Sequence, residues 1–141
     1  MKNISFILVT MAVLTWSCTP KPQQGESNHF RLGSNFKIKM FQTMKLVGSD
    51  LKLTFTGLPE DSRCPEGTTC IWGGQIRAFV EAAVTGEKRS IEFKVEKHKM
   101  GKVSKRFQGY EIKVMNVLPY PKAEEKTPKG DYVMELLVTK V

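Results

Sequence analysis

IRAFVEAAVTGEKRSIEFKVE, residues 76–96, holds two runs in which apolar side chains fall on every second position. Ile76, Ala78, Val80, Ala82 and Val84 share one parity. Ile91, Phe93 and Val95 share another, set against Glu92, Lys94 and Glu96, and Thr85-Gly86-Glu87 separates the two runs. A period of two sends successive side chains to opposite faces of a strand, so each run has one dry face and one wet face. Two such runs around a glycine turn predict an antiparallel hairpin packed on one side only.

The same period extends in both directions. Upstream, Phe36, Ile38, Met40, Met44 and Leu46 alternate with Lys37, Lys39, Thr43 and Lys45. Beyond Gly48-Ser49-Asp50, Leu51, Leu53 and Phe55 alternate with Lys52, Thr54 and Thr56. Downstream come Tyr110, Ile112 and Val114, and finally Tyr132, Met134, Leu136 and Val138. Breaks are expected at Gly57-Leu58-Pro59, Gly109 and Pro119-Tyr120-Pro121. Residues 103–107 read either as a loop or as a further edge strand, whose lysine and arginine would discourage strand-to-strand aggregation. No segment carries a 3.6-residue period. The expectation is an all-β, antiparallel, Ig-like β-sandwich of six or seven strands, with a small β-barrel as the alternative.

Length and composition fit one such domain. The chain has 141 residues, 40% hydrophobic and 26% charged, with 22 basic and 14 acidic side chains for a net charge of +8. That apolar content excludes a disordered chain, and no apolar run reaches the roughly 18–20 residues of a membrane-spanning helix.

The N-terminus, MKNISFILVTMAVLTWSC, places Lys2 before an apolar stretch from Ile4 to Leu14. This is the pattern of an export signal. It ends not in an ordinary cleavage site but in Thr15-Trp16-Ser17-Cys18, which resembles a bacterial lipobox although Thr15 stands where leucine is usual. The expected organisation is a lipoprotein signal peptide over residues 1–17, a flexible tether over 18–35 from acylated (palmitate-type) Cys18, and one β-domain over 36–141. His29, Phe30 and Leu32 are the tether residues apolar or aromatic enough to dock on that domain. Acyl chains at about 0.8 kcal/mol per buried CH₂ would hold such a protein on a membrane. Lys2 is the only charged residue before Cys18, so the mature chain keeps +7 of the +8.

Three cysteines then divide into one lipid carrier and one pair, Cys64 and Cys70, in an oxidising compartment. Between them Pro65 and Gly67 allow a tight turn. Five intervening residues do not make a C-x-x-C redox pair, and two cysteines do not complete a zinc site, so a structural disulfide is expected. Trp72 is expected to lie over the bridge or to cap one end of the sandwich, and Gly73-Gly74 to permit a kink before the next strand. Asp61 and Arg63 are expected to pair or to cap the loop.

Asp61-Ser62-Arg63-Cys64-Pro65, four residues, then Cys70-Ile71-Trp72-Gly73-Gly74 and an alternating strand resembles a pattern in small lipoproteins of Bacteroidota and related bacteria. Gly109-Tyr110, Pro119-Tyr120-Pro121 and Asp131-Tyr132 extend the resemblance over most of residues 36–141, with less specific motifs. It implies a β-domain on a lipid tether and brings no activity with it.

Catalytic signatures do not emerge. His29 falls in the tether and His98 in a lysine-rich loop, no G-x-S-x-G or phosphate-binding loop occurs, and Glu60-Asp61 and Glu124-Glu125 read as loop acids. Met40, Met44 and Met134 share the core parity of their strands and read as packing. No enzyme activity, cofactor or metal is expected. The remaining candidate is a basic stretch over residues 94–106, where Lys97, Lys99, Lys102, Lys105 and Arg106 form a possible anion-binding surface. The alternative is a solvated hairpin that keeps the protein soluble. The expected protein is a monomeric envelope lipoprotein, exported to the outer membrane and facing periplasm or surface. It would act as a binding or accessory module for an envelope protein, an anionic glycan or a lipid, and not for nucleic acid. A small inhibitor or immunity-type protein acting on a hydrolase is the second expectation.

Overall fold

A computed structural model describes residues 27–141. The expected signal peptide over 1–17, the expected lipid carrier Cys18 and the first part of the expected tether lie outside the described residues. Nine strands follow in chain order: β1 (His29–Phe30), β2 (Asn35–Lys39), β3 (Thr43–Leu46), β4 (Lys52–Asp61), β5 (Gln75–Val84), β6 (Glu87–Glu96), β7 (Ser104–Phe107), β8 (Tyr110–Leu118) and β9 (Val133–Lys140). One sheet has the order β1-β3-β4-β5-β6, and the other β2-β9-β8-β7. All pairings are antiparallel except β1 with β3, which is parallel. Within the first sheet β3 to β6 form a meander. Within the second, β7 to β9 form another, and β2 closes it beside β9. The chain changes sheet between β1 and β2, between β2 and β3, and again between β6 and β7, so the strands stack as a β-sandwich and do not close into a barrel.

The core is the set of inward positions that the alternation marks. Ile76, Ala78, Val80 and Ala82 of β5 are buried, as are Ile91, Phe93 and Val95 of β6, facing Ile112, Val114, Met134, Leu136 and Val138 of the other sheet within one cluster. Each fully buried Val, Leu, Ile or Phe side chain contributes about 1.5–3 kcal/mol over an exposed one. Met40, Met44 and Met134 belong to that cluster, as their parity predicts.

Three details differ from the pattern in the sequence, and a fourth decides between its two readings of residues 103–107. The run 36–46 is two strands in different sheets: Phe41, at φ 64°, turns the chain, and Gln42 N–H donates to the Lys39 carbonyl at 3.0 Å. Gly57-Leu58-Pro59 does not end its strand. It sits between register shifts within β4, so that inward positions pass from Leu53 and Phe55 to Leu58. A further shift between Val114 and Asn116 carries β8 on to Leu118 and makes Val117 the next buried residue. Residues 104–107 are a strand, β7, at the outer edge of the second sheet.

The tether boundary also moves. Residues 29–35, assigned to the tether by their polar composition, belong to the folded domain. Phe30 is only 3% exposed, β1 pairs with β3, and the Phe30 ring stacks on Phe36 with centroids 4.2 Å apart. One aromatic side chain outweighs its polar neighbours, because it buries enough area to offset the ordering of a short segment.

Candidate functional site

At one end of the first sheet, β4 runs into the loop 62–74 and the chain returns as β5. The loop is held from beneath by Arg63, whose side chain is fully buried. Its Nε and Nη2 donate to the two carboxylate oxygens of Asp61 at 2.8 and 2.7 Å. Nη1 donates to the Val117 carbonyl at 2.7 Å and Nη2 also to the Pro119 carbonyl at 2.9 Å. The Tyr132 hydroxyl donates to Asp61 Oδ2 at 3.1 Å, and the guanidinium lies 4.7 Å from the centroid of the Tyr120 ring. A planar fork suits this task, since it meets a carboxylate bidentately and still has donors for carbonyls. The motif over residues 61–65 is thus joined in space to Pro119-Tyr120-Pro121 and Tyr132. Burial raises the Tyr132 phenol above its ordinary pKa, and the Asp61 carboxylate adds to the effect.

Three further ties fix the loop. Cys64 and Cys70 form a disulfide with Cα atoms 5.9 Å apart, the bridge the sequence predicts. Glu66 N–H donates to the Pro121 carbonyl at 3.0 Å. Gly74 has φ 66° and packs against the backbone of Ser62, where an added Cβ would lie 1.7 Å from the carbonyl oxygen. Only glycine fits there. That contact lets Ser62 N–H reach the Gln75 carbonyl at 2.9 Å.

On this fixed base stand two exposed apolar residues. Ile71 is 104% and Trp72 82% exposed, so Trp72 does not cap the sandwich. The core at this end is closed instead by the Arg63 cluster. Between the loop and the ends of β5 and β6 lies a groove of about 620 Å³, lined on its apolar side by Trp72, Pro65 and the disulfide. Its polar side carries Glu60, Gln75, Glu96 and His98. Gln75 Nε2 donates to Glu60 Oε1 at 3.0 Å, and Ser62 Oγ lies 3.2 Å from the same oxygen. Glu96 accepts from Lys99 at 2.8 Å, and this bond holds its carboxyl below the usual carboxylate range; His98 Nε2 is 3.3 Å from its other oxygen.

Glu60 and Asp61, which read as loop acids, are the last two residues of β4. The register of β4 with β5, in which Glu60 faces Arg77, is what brings Glu60 near Gln75. A strand ending three residues earlier hides that relation.

The predicted anion-binding residues do not share one pocket. Lys97 lines a second cavity with Pro65, Thr68 and Tyr120, its Nζ 5.2 Å from the Tyr120 centroid. Lys99 pairs with Glu96. Lys105 is on β7, where its charge lowers the Glu92 carboxyl as a minor contributor behind the Arg77 hydrogen bond. Lys102 and Arg106 are exposed. Among the described residues, no group of three or more His, Cys, Asp and Glu side chains is placed to share a metal ion, and no helix is long and apolar enough to cross a membrane.

Compared with known proteins, the chain matches no family model, no curated protein and no solved structure.

Proposed function

We propose that this protein is an exported, lipid-anchored binding module without enzymatic activity, which engages an envelope protein through Ile71 and Trp72. The observation that carries the reading is the exposure of these two adjacent side chains on a loop held by a disulfide, a buried guanidinium and an obligatory glycine. Exposed apolar residues on a mobile loop would lose much of their contact energy to ordering. On a loop already fixed, that cost is paid in folding. Tryptophan is also the residue most enriched among interface hot spots. The anchor is Cys18, the compartment the envelope and the expected membrane the outer one, supported by the export signal, the lipobox-like Thr15-Trp16-Ser17-Cys18 and the resemblance carried by residues 61–74. The buried Asp61–Arg63–Tyr132 cluster satisfies its own charges and leaves none of its members for chemistry on a substrate.

This reading shifts the contact surface from the basic stretch 94–106 to the loop 62–74. Detergent-extracted protein should have a mass that begins at acylated Cys18. Chemical cross-linking in the native host should yield one envelope partner, whose affinity falls about 30-fold or more, a hot-spot-sized loss, on joint Ile71→Ser and Trp72→Ala substitution. Replacing Lys102 and Arg106 by Ser should leave it unchanged. An unaltered partner in the first variant would sink the proposal. The fixed loop also favours a second reading, a small inhibitor of a hydrolase, because preorganised loops are what such inhibitors present. In that case the retained partner is a hydrolase that loses turnover when bound.

A further inference from the structure

The groove beside Trp72 has a charge opposite to that of the protein around it. The mature chain is strongly basic, yet the ionisable side chains on the groove wall are Glu60, Glu96, His98 and Arg63. Arg63 contributes no free charge, since its side chain is fully buried and bound bidentately to Asp61. Glu96 is matched by Lys99. That leaves Glu60. Both of its close contacts, from Gln75 Nε2 and with Ser62 Oγ, converge on Oε1. Among the described residues, no hydrogen bond falls on Oε2. The carboxylate is therefore oriented by its neighbours and keeps one oxygen for a ligand.

The same groove is lined by the Trp72 indole, which is 82% exposed. An aromatic face and an oriented carboxylate on one groove define a cation site. The indole quadrupole attracts a cation placed over its face, and the carboxylate supplies a charge-assisted hydrogen bond. Guanidinium satisfies both at once, being planar for stacking and carrying several donors. From this we infer that the groove receives an arginine side chain of the protein partner, stacked on Trp72 and hydrogen-bonded to Glu60 Oε2. The inference rests on the proposed binding-module reading and names the chemistry of its occupant. The net positive charge of the domain discourages free cations at long range, so an arginine delivered by a docked partner is favoured over a small soluble amine.

The test uses the processed protein that begins at Cys18, in which Trp72 is the single indole. Its fluorescence is titrated with the capped tripeptide Gly-Arg-Gly and with the citrulline version, which keeps the shape and loses the charge. Saturable change with the arginine peptide, weakened about tenfold or more with citrulline and again by Glu60→Gln, is the expected result for a charge-assisted bond. Glu60→Asp, which keeps the charge, should retain part of the binding and guards against a folding defect. Equal response to both peptides, indifference to Glu60→Gln, or saturation by an uncharged oligosaccharide in place of the arginine peptide overturns the inference. The two ideas fail separately. A cross-linked partner lost on Trp72→Ala but kept on Glu60→Gln removes the arginine and leaves the binding module. Arginine binding with a partner indifferent to Trp72→Ala removes the module as proposed.

Discussion

Two loops stand close to each other at one end of the sandwich, and they are built on opposite plans. The loop 62–74 sets two exposed apolar residues, Ile71 and Trp72, among exposed polar ones such as Glu66, Thr68 and Thr69, and is heavily tied underneath by Arg63, the disulfide and the Gly74 contact. The stretch 97–106 is charged at its exposed positions, and its ties include a 3-10 turn, backbone bonds that join Gly101 and Val103 to Val114, the Ser104–Glu111 side-chain bond, the partly buried Met100 and Val103, surface ion pairs and the short β7 ladder. Exposed ion pairs of this sort are worth about 0–1 kcal/mol each. Fold-stabilising interactions are thus concentrated under the residues with the most apolar area to offer. The difference teaches that the density of ties beneath a surface loop, rather than the charge upon it, marks the better candidate for recognition.

The largest effect is expected at Arg63. Replacing it with Met leaves Asp61 buried without its partner, and the cost should be about 3–5 kcal/mol, read as a lower denaturation midpoint. A loss below about 1 kcal/mol would mean that the cluster does not carry the loop. Gly74→Ala comes next, at roughly 2–4 kcal/mol, because Cβ meets the Ser62 carbonyl and φ is left-handed. Chemical denaturation of that variant measures it directly. Removing the bridge by Cys64→Ser with Cys70→Ser should cost about 2 kcal/mol by the chain-entropy account of a short loop, with reduction of the native protein giving the same shift.

Tyr132→Phe should cost about 1 kcal/mol at neutral pH, through loss of the hydrogen bond to Asp61. Its pH dependence sharpens the point. The folded-state pKa of Tyr132 lies above the ordinary value of 10.0. Below that value both folded and unfolded states hold the proton, and the full stabilisation is present. Above it the unfolded state releases its proton first, so stability falls as pH rises through the folded-state value. The gap between wild type and Tyr132→Phe should therefore narrow in denaturation curves above pH 10. Smallest of all, Ile71→Ser and Trp72→Ala should each change stability by less than about 0.5 kcal/mol. A larger loss would show that these side chains serve the fold.

The alternation in residues 76–96 made the sandwich legible, because both strands are ten residues long with one buried face. Where the period misled, there is a physical reason. Met40, Phe41 and Gln42 connect β2 to β3, yet the buried positions stay even throughout: Ile38 on β2, Met40 in the turn, and Met44 and Leu46 on β3 in the other sheet. Counting periods cannot see a turn across which the buried parity is unchanged. Bulges in β4 and β8 act oppositely, switching parity within one strand. Of the site, the disulfide and the Asp61–Arg63 pair were legible from local spacing. The partners of Arg63 at Val117 and Pro119 were not, for they lie more than 50 positions away. Nor was the exposure of Trp72, because an aromatic residue beside a cystine has the composition of a core whichever way it points. The cation-accepting groove depends on Glu60, whose strand the glycine and proline before it seemed to end.

The pairing of β1 with β3 has a consequence for geography. For a chain anchored at Cys18, a leash running to Phe36 would reach about 65 Å at 3.6 Å per residue, whereas one that ends at His29 reaches about 40 Å. That is close to one diameter of a domain this size, about 35–40 Å. With Cys18 acylated as proposed, the volume open to the domain around it would be roughly fourfold smaller, and local concentration would rise to match. A two-residue strand at the edge of the fold would confine the search for a partner to the layer of envelope that lies one protein deep.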